Sequence, residues 1–170
     1  YYEAQRGIVR NNVVKGTGYS GIGLYASKDS IVANNTIIDA GRKGHSALYY
    51  GVPFQDWDPV AKRPPNLNNR LVNNLIIAAN KNRCFDIRYS GELGGLSGLS
   101  GATGSDWNGF PTGCVFRDNR PGSAINADST FTQWRNALSS DTNSKQAAFT
   151  VTSTGELPAG SPAINAGTML

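Results

Sequence analysis

Seven side chains able to carry or move charge cluster around two short apolar runs. Tyr49 closes residues 47–50, Asp86 and Arg88 lie within residues 83–89, and Arg42, Lys43, His45 and Arg83 fall in or beside the turns leading into these runs. Successive side chains of a strand face opposite ways. If Ile22 and Leu24 turn inward, Gly23 and Tyr25 turn out. Matching the later runs to that one puts Leu48, Phe85, Ile87 and Ile125 inside. The outward column is then Gly23, Tyr49, Asp86 and Asn126, with Arg88 beside it. Nowhere else does the chain gather groups suited to proton transfer and to neutralising an anion on one face. Asp86 and Arg88 are also spaced to form a plain surface ion pair, which is worth little.

The elements that would hold these residues are very short strands. Residues 20–40 read as a strand (22–25), a polar turn, a second strand (30–33), an Asn34-Asn35 corner and a third strand (36–38). Strands of three or four residues are too short for an ordinary meander and suit a coil that turns three corners and returns one layer higher. The corner recurs as Asn11-Asn12 and Asn73-Asn74, with a weaker copy at Asp118-Asn119. Asn12 to Asn35 is a step of 23 residues, Asn35 to Asn74 one of 39, and Asn74 to Asn119 one of 45. The excess falls in two polar or glycine-rich insertions, residues 51–69 and 90–112, as inserted loops should. Asparagine tolerates the left-handed conformation a sharp corner needs, and stacked amides can hydrogen-bond between layers. The pattern predicts an all-β solenoid with an Asn ladder. Both insertions leave from the same strand column, so they should wall one flank.

These repeats, over roughly residues 7–126, resemble the right-handed parallel β-helix proteins, whose familiar members are pectate lyases and related polysaccharide lyases. The closing segment, Leu157 to Gly167, is similar to that of many secreted bacterial β-helix proteins. The resemblance implies a groove for an acidic polysaccharide on the first strand face, and a protein that is secreted, periplasmic or on the cell surface. Elimination from a uronate needs the carboxylate neutralised and a base for the C5 proton. Lys43, His45 and Arg88 are the candidate bases, and Tyr49 the donor to the leaving oxygen. Arg42, Arg83 and Asp86 would bind substrate, with Trp57 and Trp107, one per insertion, stacking on sugar rings. Asp86 could contribute one oxygen ligand to Ca²⁺. Two alternatives use the same fold: a glycoside hydrolase pairing Asp86 with Asp56 or Asp58, and a non-catalytic adhesin-like protein whose loops bind glycan.

Composition narrows the choice. The chain has 170 residues, 20 glycines and a net charge of +4, a mild bias that suits an anionic polymer. No Lys/Arg run interleaved with aromatics marks nucleic-acid binding, and no apolar run is long enough to span a membrane. Cys84 and Cys114 either form a disulfide around the second insertion or sit unpaired in the core. Residues 1–127 are expected to be the coils and 128–170 a cap and tail. The cap includes a short helix through Phe131, Trp134 and Leu138, started at Asp128-Ser129-Thr130. Trp134, Phe149, Leu157 and Ile164 are expected to bury the open end of the last coil. Residues 1–7 are too short to cap the first coil, so a preceding segment of the protein, or a second copy, is expected to stack there.

Overall fold

The computed structural model describes residues 2–51, 66–77, 79, 81, 83–88, 104–120 and 122–170. They are mostly β, in passes that follow one another along the chain. The first pass holds β1 (Ala4–Gln5), β2 (Ile8–Arg10) and β3 (Val13–Lys15). The second holds β4 (Ile22–Tyr25), β5 (Ser27–Lys28), β6 (Ile31–Ala33) and β7 (Thr36–Ile38). Next come β8 (Leu48–Gly51), β9 (Arg70–Val72) and β10 (Leu75–Ile76), then β11 (Arg83–Arg88), β12 (Ser105–Asp106) and β13 (Gly109–Pro111). The last elements are β14 (Val115–Asp118), helix α1 (Phe131–Leu138) and β15 (Lys145–Ala147).

Strands pair with the pass above and below, and every ladder between them is parallel. Three sheets result, ordered β4-β8-β11-β14, β2-β6-β9-β12 and β3-β7-β10-β13-β15, with β1-β5 as a small fourth. The sequence forms them because each strand alternates an apolar residue inward with a variable one outward. Ile22, Leu48, Phe85 and Phe116 share one inward register. Val32 and Leu71 pair in the second sheet, and Ile37 and Ile76 in the third. These stacked side chains join one buried cluster, each contributing about 1.5–3 kcal/mol on burial.

The corners between the second and third sheets use a two-residue device. Asn11, Asn34 and Asn73 take φ of 58°, 54° and 58°. Asn12, Asn35 and Asn74, the next residues, form the ladder. Asn12 Nδ2 donates to Asn35 Oδ1 at 2.9 Å, and Asn35 Nδ2 to Asn74 Oδ1 at 2.9 Å. The fourth corner is Trp107-Asn108, with Trp107 at φ 58° and Asn74 Nδ2 donating to Asn108 Oδ1 at 3.1 Å. This corrects the expected copy at Asp118-Asn119: Asp118 is in β14 of another sheet. It also corrects the second insertion, whose last part, β12 to β13, is regular coil. The ladder ends on Ser144 and Asp141, which accept from the backbone N–H and Nδ2 of Asn108 at 2.8 and 3.3 Å.

Thr130 caps α1 in a reciprocal capping box with Gln133, and the helix lays Phe131, Trp134 and Leu138 over the last coil. Trp134 packs on Phe85 and Phe116 and donates its indole N–H to Asp141 at 2.8 Å. The tail does something other than cap. Phe149 and Leu75 both lie over the bare backbone of Gly109, and Gly155 lies beside Val13. Asn73 grips Thr168 with its side-chain amide: Nδ2 donates to the Thr168 carbonyl at 2.7 Å and Oδ1 accepts from the Thr168 N–H at 2.9 Å. The tail thus runs back along the outward face of the β3-β7-β10-β13-β15 sheet. Of the four residues expected to seal the end, Trp134 does so from the helix and Phe149 is buried on that outer face. Leu157 and Ile164 remain 39% and 47% exposed. Cys84 and Cys114 are joined as a disulfide across β11 and the start of β14, with Cα atoms 5.6 Å apart.

Candidate functional site

The outward face of β4-β8-β11-β14 carries the polar residues. Its central register runs Gly23, Tyr49, Asp86, Arg117, and the next one out runs Tyr25, Gly51, Arg88. The fourth member of the column is Arg117 and not Asn126, because the chain enters the sheet at Val115. Asn126 lies exposed in the following turn, while Ile125 is buried as expected. Gly51 leaves room for aromatic rings: a Cβ there would collide with both Tyr49 and Tyr25.

Four aromatic rings line up across this face. Tyr19 lies 5.3 Å from His45, His45 stacks on Tyr49 at 4.5 Å with planes 13° apart, and Tyr49 lies 5.3 Å from Tyr25. Ser20 Oγ is 3.2 Å from His45 Nδ1 and fixes the ring. Burial, helped by the positive charge of Arg88 and opposed by Asp86, moves the His45 pKa below its usual value. The imidazole is therefore mainly neutral near pH 7. Tyr49 is 1% exposed, and its hydroxyl is the one buried side-chain polar atom among the described residues without a hydrogen-bond partner. Burial raises its pKa above the ordinary phenol value, although the nearby charge of Arg88 favours the phenolate.

Asp86 is buried and held by Arg117, whose Nε and Nη2 donate to the two carboxylate oxygens at 3.0 and 2.6 Å. This hydrogen-bonded pairing raises the Arg117 pKa. Both Asp86 oxygens are therefore engaged. Among the described residues, no group of three or more His, Cys, Asp or Glu side chains is arranged to hold a metal ion.

Of the residues singled out in the sequence, the fold brings together His45, Tyr49, Asp86 and Arg88. Arg83 stands at the foot of β11 and pairs with Asp128 at 3.0 Å. Arg42 is exposed and bonded to Asp39. Lys43 is exposed in the turn before β8. Trp107 is on a different part of the molecule, at the fourth Asn-type corner. Trp57, like Asp56 and Asp58, lies outside the described residues. Sequence reasoning passed over Tyr19, Ser20 and Arg117. Alternation signalled Tyr25 as outward-facing, but nothing local tied Arg117 to Asp86, 31 residues away.

No family model matches the chain, and neither a curated protein nor a solved structure matches it.

Proposed function

We propose that this chain is a right-handed parallel β-helix whose β4-β8-β11-β14 face binds an acidic polysaccharide and cleaves it by β-elimination. Three parallel sheets visited in rotation, with an amide ladder at one corner, support the solenoid. The disulfide supports an oxidising compartment, hence export. One observation carries the site: a buried Tyr49 hydroxyl with no hydrogen-bond partner among the described residues, stacked under a neutral imidazole beside Arg88. An unsatisfied buried polar group costs stability, and such costs concentrate where a ligand supplies the missing partner.

The chemistry divides among these groups. Arg88 neutralises the uronate carboxylate and so stabilises the negative charge that spreads from C5 into it. Neutral His45 takes the C5 proton. The C5 electron pair forms the C4–C5 double bond as the C4–O bond breaks, and Tyr49 protonates the departing oxygen. Arg117 positions Asp86, whose charge opposes that of Arg88 at the imidazole.

The test is incubation with polygalacturonate, alginate and glycosaminoglycans, with and without Ca²⁺, following ultraviolet absorbance of the unsaturated uronate. Rising absorbance on one polymer is expected. Absence of unsaturated product on all of them overturns the elimination, and new reducing ends without unsaturation assign hydrolysis instead.

A further inference from the structure

A concavity lies away from the His45–Tyr49 face, between the fourth corner and the returning tail. It encloses about 200 Å³ and is lined by Asn34, Asn73, Trp107, Lys145, Phe149 and Gly167, among others. Three features set it apart from a packing gap. A bulky aromatic occupies a left-handed corner position that asparagine fills in the three passes before it, an arrangement that is strained for tryptophan and persists only where surroundings enforce it. Asp106 enforces it: Oδ1 accepts from the Trp107 backbone N–H at 2.9 Å and from that of Asn143 at 2.7 Å. The Trp107 indole, half-buried, makes no hydrogen bond to the described residues. The Lys145 ammonium likewise has no ion-pair partner among them. Residues that carry aromatic rings, an indole donor, a cation and, in the exposed Asn34, a side-chain amide therefore line one small cleft.

We propose that this cleft binds a single hexuronate unit. Its volume is below that of drug-sized pockets, so it admits one ring and not a length of polymer. The indole meets the apolar face of a pyranose, Lys145 pairs with the carboxylate, and Asn34 bonds a ring hydroxyl. This proposal does not rest on the elimination reading, since the cleft shares no residue with the His45–Tyr49 face.

The test reads the site locally, by following the tryptophan indole N–H resonances during titration with galacturonate and, separately, galactose. Trp107→Asn, which restores the residue type of the other corners, assigns the Trp107 signal and should stay folded. Its Trp134 resonance, reporting the buried helix contact, should be unmoved. Galacturonate is expected to shift the Trp107 signal saturably in the millimolar range, with galactose binding about tenfold more weakly for want of the charged contact. Lys145→Met should remove that preference and leave galactose binding intact. A Trp107 signal that galacturonate does not move overturns the proposal, as does a sugar preference unchanged in Lys145→Met. Either failure leaves the product assay at Tyr49 unaffected.

Discussion

The imidazole of His45 lies nearly flat on the phenol ring of Tyr49, with centroids 4.5 Å apart and planes within 13°. The stack joins two groups whose burial drives them toward opposite uses. Desolvation lowers the pKa of one and raises that of the other, because in each case burial disfavours the charged form. Neutral base and protonated acid therefore coexist over the whole range between them.

Tyr49→Phe separates stability from activity. The buried hydroxyl has no hydrogen-bond partner among the described residues, so removing it should leave the melting temperature unchanged or raise it, by up to about 1 kcal/mol of stability. Formation of unsaturated product should fall about 10²–10⁴-fold, as expected for loss of a proton donor. A variant that is both folded and fully active removes Tyr49 from the chemistry.

The acidic limb of the kcat/KM profile should report His45. Its folded pKa lies below the unfolded value of about 6.5 because of burial and Arg88. Activity should therefore persist as pH falls through about 6.5 and be lost only further down. Stability follows the same sign. The unfolded state takes the proton first, so His45 withdraws stability as pH falls from its unfolded pKa to its folded one. His45→Asn, compatible with the φ of 68°, should remove that limb from whatever activity remains. A limb above about 6.5 contradicts the assignment.

The amide ladder should show a gradient from its exposed start to its interior. Asn74 is 1% exposed, donates to Val32 and Asn108, and accepts from Asn35. Asn12 is exposed and donates to Asn35 from the edge. Asn74→Ala should cost about 2–4 kcal/mol, through several broken buried hydrogen bonds, and Asn12→Ala about 1 kcal/mol or less. Chemical unfolding of both variants checks this, and equal costs contradict an inter-pass ladder.

Arg117→Met leaves the Asp86 carboxylate buried without its cation. The Asp86 side chain is 2% exposed and that of Arg117 25%, so the cost should be about 2–3 kcal/mol, below that of a fully buried pair. The double variant Arg117→Met, Asp86→Asn should recover part of it, as measured by urea unfolding. No recovery would mean that Arg117 acts through packing alone.

The amino-acid sequence alone specified what depends on local chemistry. Asn34-Asn35 and its two relatives announce left-handed corners because asparagine accepts that conformation and its amide bonds between layers. Alternation in residues 22–25, 47–50 and 83–88 orients Tyr49 and Asp86 outward because strand geometry leaves no other choice. Asp128-Ser129-Thr130 marks the helix start for an equally local reason.

Tertiary structure decided whatever depends on which distant passes meet. Trp107 takes a corner its type disfavours because Asp106, with Asn143, holds the backbone there. Arg117, not Asn126, completes the polar column because the chain turns into the sheet at Cys114, where the disulfide anchors it to β11. The tail lies along a sheet and not over its end, since α1 already fills that end with Trp134. Burial and neighbouring charge set the protonation of His45 and Tyr49, and both arise only when residues far apart in sequence are packed together.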